Sequence, residues 1–134
     1  MKAIFSIIVA VSLFSCGNRS AISKKLSGCD RLVITFNAHN SDSVLNMVST
    51  TEKKAIRKLA GFLDGKKREE SKCGFDGNMI FYSKGEIFLP VIFQYSEEGC
   101  RHFLFDIDGK VMNTIMSKVA EELLKSLGEG KKWY

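Results

Sequence analysis

The stretch Asn78–Tyr95, NMIFYSKGEIFLPVIFQY, contains two runs of aromatic and aliphatic residues separated by Ser83-Lys84-Gly85. Two such runs joined by a short connection with a glycine predict a β-hairpin. The second run is apolar at nearly every position, which predicts that both faces of this strand are covered. Pro90 lies inside it and predicts a sheet edge or a β-bulge, because proline cannot donate a backbone hydrogen bond.

Strand-like segments lie on both sides of this hairpin. Asp30–His39 alternates between apolar and polar residues and places one apolar set on one face, namely Leu32, Ile34 and Phe36. Val44–Ser49 alternates again after the turn residues NSDS, so we expect a second hairpin. Arg101–Ile107 follows the central hairpin and is closed by a predicted turn at Asp108-Gly109.

Two other segments change to the helical period. Ser49–Gly65 carries an apolar stripe at helical spacing, with Thr50 as the expected N-cap and Gly65 as the expected stop; the stripe is Ile56, Leu59, Ala60 and Leu63. Met112–Gly128 predicts a second helix with Asn113 as N-cap, and its stripe is Ile115, Met116, Val119, Leu123 and Leu127.

The order of these elements predicts an α+β fold. The order is β-β-α-β-β-β-α, which predicts an antiparallel sheet of about five strands with two helices on one face. The chain of 134 residues is long enough for one domain, which we place at residues 30–128, with a C-terminal tail at 129–134. Ten phenylalanines and a single proline exclude a disordered chain.

The N-terminal segment has a different composition. Lys2 is followed by a run of thirteen apolar or small residues, AIFSIIVAVSLFS, without a charge. This arrangement is typical of a secretory signal peptide, which we place at residues 1–15 and expect to be removed. A helix of that length spans about 20 Å, less than the roughly 30 Å of a bilayer core. A buried core helix is the alternative interpretation.

Two cysteines follow this segment, and their positions distinguish them. Cys16 comes directly after the apolar run in LFSC, whereas Cys29 in LSGC is separated from it by a polar stretch with three positive charges. A peptidase at the membrane surface needs its cleavage site beside the inserted segment, so we expect Cys16 to be the modified residue. Residues 16–29 are then the lipidated cysteine and a flexible tether.

The sequence Leu13-Phe14-Ser15-Cys16 after the apolar run resembles the signal of bacterial lipoproteins. The resemblance implies cleavage before Cys16 and diacylglycerol and acyl chains on that cysteine, with no other cofactor. Several acyl chains anchor a protein stably. Gly17 follows instead of an aspartate, which in that family favours the outer membrane. The absence of acidic residues just after the cysteine implies a periplasm-facing anchor.

Two further segments also carry a resemblance. KCGFDGNMIFY (Lys72–Tyr82) and GCRHFLF (Gly99–Phe105), together with the anchor, are similar to small uncharacterised lipoproteins of Bacteroidota-type bacteria. This similarity implies a location in the cell envelope and implies no particular activity.

Three cysteines are left if Cys16 is lipidated. Outside the cytoplasm cysteines tend to pair, and Cys73 and Cys100 each precede a strand that we expect beside the strand at 86–95. We therefore predict a Cys73–Cys100 disulfide, with pairing of Cys29 to either of them as the alternative. A CxxC motif, the usual sign of a redox dithiol, is not present.

Candidate catalytic and metal-binding residues are few. His39 and His102 are the only histidines, and their spacing from Cys73 and Cys100 matches no metal motif, so we predict no metal site. There is no GxSxG motif for a serine hydrolase, and we expect the acid pairs Glu69-Glu70 and Glu97-Glu98 to be solvated. An envelope hydrolase or metal-dependent enzyme that uses His102 remains the alternative function.

A basic surface is the most suggestive feature outside the anchor. The net charge is +5, and a set of basic residues falls opposite the apolar stripe of the first helix and just after it: Lys53, Lys54, Arg57, Lys58, Lys66, Lys67 and Arg68. A solvated helix face is one interpretation, and contact with anionic lipid headgroups or an acidic protein is the other. An envelope location disfavours nucleic acid. We therefore expect a lipid-anchored envelope protein whose domain binds a protein or another envelope component.

Overall fold

A single antiparallel sheet of six strands forms the framework of the protein. The computed structural model describes residues 21–69 and 73–133. Its elements in chain order are α1 (Ile22–Lys25), β1 (Arg31–Asn37), β2 (Val44–Thr50), α2 (Lys53–Phe62), β3 (Gly77–Ser83), β4 (Glu86–Gln94), β5 (His102–Ile107), β6 (Lys110–Ile115) and α3 (Lys118–Gly128). The predicted α+β class is confirmed, with six strands and three helices instead of about five and two.

The sheet has the strand order β2-β1-β3-β4-β5-β6, so the β3–β4 hairpin occupies its centre. Lys84 and Gly85 join β3 to β4 with φ values of 52° and 80°, and Asp108 and Gly109 join β5 to β6 with 53° and 74°. Positive φ at both central residues gives the turn twist that suits a tight hairpin. These turns lie at one end of the sheet, called here the turn end. The β1–β2 and β4–β5 connections lie at the other, the loop end.

Two of the helices cover one face of the sheet. The expected apolar set of β1 is buried on this side together with apolar residues of β3, β4 and β5, and the buried residues include Leu32, Ile34, Met79, Phe81, Phe93 and Phe103. Helix α2 packs on them through the predicted stripe of Ile56, Leu59, Ala60 and Leu63, all of which are buried. Helix α3 adds Ala120, Leu124 and Leu127 at spacings of four and three residues.

No helix or strand that the structure describes in residues 21–69 and 73–133 packs on the other face of the sheet, although Gln94 and His102 are buried on the loop-end part of this face. One continuous row of cross-strand neighbours runs over all six strands on this side: Met47, Thr35, Asn78, Ile92, Leu104 and Asn113. The prediction that both faces of β4 are covered is therefore wrong for most of the strand and holds only near its end, at buried Gln94. Ile87, Phe88 and Ile92 of β4 are 60%, 49% and 44% exposed.

The two outer strands of the sheet differ in their protection. The segment after α2 runs along the free edge of β6, where Ile115 donates its N–H to Lys66 and Arg68 donates its N–H to Asn113. A Cβ on Gly65 would lie 2.4 Å from the Ile115 carbonyl oxygen, so glycine is needed there for close approach. Gly65 was expected as a helix stop, but α2 already ends at Phe62. The outer edge of β2 borders no other strand in the part of the chain that the structure describes.

The boundary between β6 and α3 corrects the prediction of a helix from Met112. Asn113 is a buried residue of β6 and not an N-cap; the N-cap of α3 is Ser117, whose hydroxyl accepts the N–H of Ala120. The N-cap therefore lies four residues later than predicted, at Ser117 instead of Asn113, and the helix turns a different stripe inward. Val119 is 59% exposed and Ile115 lies in β6, while Leu127 and Met116 are buried as expected.

The N-cap of α2 differs from expectation, and Pro90 meets the second of its two expectations, a β-bulge nearby, and not the first. Glu52 is the N-cap of α2, and Thr50 instead accepts the Glu52 N–H through its hydroxyl. Pro90 lies on a central strand and not on an edge, and it pairs with Ile80 beside a register shift. The ladder between β4 and β5 begins only at Val91, so the missing N–H of proline costs no inter-strand bond there.

Residues 21–29 pack on the domain, so the prediction of a flexible tether over 16–29 is wrong for this part. Helix α1 lies against α2, and Leu26 and Cys29 are 1% and 6% exposed. The Ile22 N–H bonds the Asp64 carboxylate at 2.6 Å. Burial of Leu26 supplies the apolar contact that a purely polar tether would lack. Residues 16–20 lie outside the described part of the chain.

Candidate functional site

A disulfide joins two connections at the loop end of the sheet. Cys73 and Cys100 are bonded, with their Cα atoms 5.7 Å apart, which confirms the predicted pair. Cys73 precedes β3 and Cys100 precedes β5, and both strands border β4, as the prediction required. The bond therefore links the segment that leads into β3 to the segment that leads into β5, on the two sides of β4.

Beside the disulfide lies a set of four polar side chains, here called the loop-end cluster: His39, Asp76, Ser96 and Glu97. Each comes from a connection and not from the interior of a strand. His39 Nδ1 lies 2.9 Å from Asp76 Oδ1, and His39 Nε2 lies 2.7 Å from Glu97 Oε1. A doubly protonated imidazole donates to both carboxylates in this geometry. The cluster thus ties the β1–β2 connection to the β4–β5 connection.

Asp76 is the most buried member of the cluster, at 4% exposure. Its Oδ2 accepts the backbone N–H groups of Tyr95 and Ser96 at 2.8 and 2.9 Å, and its Oδ1 accepts the Ser96 hydroxyl at 2.9 Å. Burial acts to raise the pKa of Asp76, but these hydrogen bonds and that from His39 outweigh burial and lower it. The carboxylate is therefore an ionised anchor for the β4–β5 connection.

The charge of His39 is set by its two neighbours. The hydrogen bond to Asp76, followed by that to Glu97, raises the pKa of His39 above its usual value. This arrangement favours the imidazolium over the neutral ring. The loop-end cluster is called here the clamp, because His39 bonds both carboxylates and its raised pKa favours the charged ring.

The same geometry does not form a nucleophilic relay. In a serine relay the two nitrogens of histidine face different partners, one the hydroxyl and the other the orienting carboxylate. Here Ser96 Oγ lies 3.1 Å from His39 Nδ1, the nitrogen that also faces Asp76.

Within residues 21–69 and 73–133, no group of three or more His, Cys, Asp or Glu side chains has the arrangement of a metal site.

His102 lies inside the protein and does not open onto solvent. It is 4% exposed in β5, between Gln94 of β4 and Ile115 of β6. Burial, followed by the charge of Arg68, lowers the pKa of His102, so its ring is held neutral. His102 Nδ1 and Gln94 Nε2 find no hydrogen-bond partner among the described residues.

Cys29 has the character of a core residue. It is unpaired and buried at the junction of α1 and β1, with 6% exposure. Burial, with a smaller contribution from Asp30, raises the pKa of the Cys29 thiol and keeps it in the unreactive form.

The basic residues singled out in the sequence divide into three groups. Four are exposed on the outer side of α2, namely Lys53, Lys54, Arg57 and Lys58. Lys66 and Lys67 are exposed on the segment that runs along β6. Arg68 differs from the others, because its guanidinium donates to the Gly99 carbonyl and it therefore holds the β4–β5 connection. Only the first two groups form a solvent-facing basic surface.

The uncovered side of the sheet carries a group of exposed apolar side chains and is called here the open face. Six exposed apolar side chains from β2, β4 and β6 define it: Met47, Ile87, Phe88, Ile92, Val111 and Ile115. Large contiguous exposed patches on a soluble domain mark sites of interaction. Partly buried Ile80 and Leu104 connect the six across the sheet.

Sequence reasoning missed both the clamp and the open face. The clamp joins three connections that are far apart in the chain, and only the strand order brings them together. The open face had a signal in β4, whose residues are apolar on both sides. That signal predicted a second cover that the described residues do not provide.

Comparison of the chain with protein-family models, with curated proteins and with solved structures finds no match.

Proposed function

We propose that the protein is a lipid-anchored component of the bacterial cell envelope whose domain works as an interaction module. The open face is the observation that supports this proposal. Exposure of apolar side chains to water is unfavourable, so a group of them on one face indicates a surface that a partner covers. Three of its six residues come from β4, the strand whose composition predicts cover on both sides. The module would therefore bind its partner through the sheet and not through the loop-end cluster.

The proposed anchor is Cys16, after removal of residues 1–15. These residues lie outside the described part of the chain. Residues 17–20 separate Cys16 from Ala21, so even a fully extended link spans no more than about 18 Å. Because α1 packs against α2, this short link keeps the helix side of the domain near the bilayer. No helix among the described residues is long and apolar enough to cross a membrane.

The basic side of α2 fits such an orientation. Lys53, Lys54, Arg57 and Lys58 are exposed on the helix that contacts α1, close to the start of the link. Each Lys or Arg near an anionic surface adds about 1 kcal/mol of attraction, within a Debye length of about 8 Å. Contact of this side with anionic headgroups leaves the open face free for a partner. We favour the outer membrane and a periplasm-facing position, as the residues after Cys16 imply.

An enzyme that uses His102 remains a separate prediction. Its buried ring and lowered pKa suit a neutral core histidine, and no arrangement of the described residues favours the enzyme over the interaction module. Comparing wild type with His102→Gln against a panel of envelope ester and amide substrates tests it directly. Equal, background-level turnover by both proteins excludes the enzyme.

Two experiments test the proposed function. Labelling cells with a fatty-acid analogue should tag the wild-type protein and Cys29→Ala but not Cys16→Ala, and the opposite result would refute the anchor. A photo-reactive side chain at position 92, on the open face, should give a specific adduct in intact cells. The same group at position 119, an exposed position of α3, serves as the matched control. The absence of an adduct specific to position 92 would refute the interaction module.

A further inference from the structure

We propose that a groove between α1 and α2 binds the phosphate group of an anionic phospholipid, with Lys53 and Arg57 as the residues that hold it. This inference rests on the proposed function, because it names the site through which the basic side of α2 contacts the bilayer. The lining of the groove, the unpaired charges in it and its position beside the link to Cys16 support it.

The groove lies where α1 packs against α2, and it is a solvent-open space of about 270 Å³. Helix α2 lines it with positions 53, 56, 57 and 60, a spacing that places all four on one side of the helix. Its floor is formed by buried apolar residues, namely Leu26, Cys29, Ile56 and Ala60. Its polar lining residues are exposed or half-buried, namely Ser23, Ser27, Lys53 and Arg57.

The two cations of the groove are not neutralised within the protein. No ion pair or hydrogen bond joins the side chain of Lys53 or Arg57 to another of the described residues. Asp64, just after α2, has its carboxylate engaged by the N–H groups of Ile22 and Ser23. None of the lining residues that the structure describes is acidic. The groove therefore attracts an anion.

Phosphate suits this set of donors. A guanidinium presents its N–H groups in a planar fork that matches two oxygens of a phosphate, and an ammonium adds a compact positive charge. Arg57 and Lys53 provide these two groups four residues apart, on the same side of α2. On the opposite wall, the hydroxyls of Ser23 and Ser27 can donate further hydrogen bonds to the same phosphate.

The position of the groove favours a membrane lipid as the source of the phosphate. Ser23 is two residues from Ala21, where the link of residues 17–20 to Cys16 ends. Because this link spans no more than about 18 Å, the proposed anchor holds the groove close to the headgroup layer. Tethering of this kind gives a lipid headgroup a high effective concentration at the groove.

Native mass spectrometry of the mature lipidated protein, released from detergent micelles that contain phosphatidylglycerol, tests the proposal. Wild type should retain phosphatidylglycerol in preference to phosphatidylcholine, whose headgroup also carries a positive charge. Lys53→Gln and Arg57→Gln should each weaken this retention about tenfold, because each removes a charge-assisted contact to the phosphate. Arg57→Lys should restore only part of the loss, since an ammonium lacks the planar fork.

Lys54→Gln and Lys58→Gln are the matched controls, because both remove the same charge from α2 at positions that do not line the groove. They should change the retention of lipid by less than about threefold, as expected for exposed and screened charges. Equal losses in the two pairs of variants would overturn the site, and so would equal retention of phosphatidylcholine by wild type. Complete displacement of the lipid by millimolar inorganic phosphate would show that the ligand is a free anion and would also overturn the proposal.

These outcomes are separate from those that test the proposed function. The fatty-acid label on Cys16 and the adduct at position 92 depend on neither Lys53 nor Arg57, so failure of the groove leaves both intact. Near-UV circular dichroism of each variant confirms that it is folded, so loss of lipid is not confused with loss of the fold.

Discussion

Removal of the Cys73–Cys100 disulfide should destabilise the protein mainly through the unfolded chain. The bond joins residues 27 positions apart, and closing a loop of that length is worth about 3.6 kcal/mol in the chain-entropy description. For a domain of this size, 3.6 kcal/mol corresponds to a decrease of roughly 15 °C in melting temperature. We therefore expect Cys73→Ala/Cys100→Ala to lose a large fraction of a typical free energy of unfolding.

The folded state should keep its geometry without the bond. Arg68 still donates to the Gly99 carbonyl, and Asp76 still accepts the backbone N–H groups of Tyr95 and Ser96. Since these contacts hold the same two connections, the loss belongs to the entropy of the unfolded chain. The unfolded chain also becomes more expanded, so the denaturant m-value should rise.

Urea unfolding with and without a reductant measures both effects. Reductant should bring wild type down to the stability of the double variant and leave the double variant unchanged. Cys29 is present in both proteins and is already a thiol, so it does not confuse the comparison. A difference below about 1 kcal/mol, or a response of the double variant to reductant, would contradict this account.

Three further predictions concern packing, close approach and charge. Leu26→Ala should lower the free energy of unfolding in urea by about 2–4 kcal/mol because Leu26 is buried. The matched control Ser27→Ala, at an exposed position, should leave it unchanged. Equal stability of the two variants would show that residues 21–29 are a tether after all. Gly65→Ala should lower the melting temperature because the added Cβ collides with the β6 backbone. Gly61→Ala, in α2, adds a Cβ with no atom within 4 Å and should raise the free energy of unfolding by about 0.5–1 kcal/mol. A gain in stability at both sites would argue against the close approach at Gly65. The raised pKa of His39 makes its stabilisation complete below the ordinary histidine pKa of about 6.5, and that stabilisation is lost as pH rises through the folded-state value. The advantage of wild type over His39→Gln in urea unfolding should therefore shrink as the pH rises above about 6.5, and an advantage that grows with pH would refute the clamp.

The parts of the fold that follow from the sequence are those with a long or unambiguous period. The stripe of α2 has four apolar residues at helical spacing with no competing alternation, and all four are buried. The β3–β4 hairpin has a two-residue turn that contains glycine between two strongly apolar runs. In both places the local preference and the tertiary packing favour the same structure.

The parts that do not follow are those where two periods compete or where distant segments meet. Lys110–Ile115 is short enough to suit either a strand or the first turns of a helix, and pairing with β5 decides for the strand. The turn at Asp108-Gly109 is the kind of turn that joins two strands, and here it leads into β6. The apolar residues that follow also fit a helical spacing, which is why a helix was predicted there instead. Helix α1 has only four residues, and its stability comes from Leu26 and α2 and not from its own sequence.

The candidate site depended on the same distinction. The disulfide could be predicted because both cysteines sit next to strands that border β4. The loop-end cluster could not, because nothing in the spacing of His39, Asp76 and Glu97 shows that they meet. Arg68 was grouped with the basic surface by its neighbours in the chain, although its guanidinium serves the β4–β5 connection.

The segment that runs along β6 also limits how the protein can assemble. A sheet with two accessible borders can recruit neighbours on both sides and extend into a fibre, which is a hazard for proteins crowded on a membrane surface. Here Lys66 and Arg68 already bond the backbone of Ile115 and Asn113, in the loop-end half of one border. Among the described residues β2 is then the border with the longer free edge, and two β2 borders that pair with each other leave neither of them for a third molecule. The segment that runs along β6 therefore acts against open-ended polymerisation of the sheet.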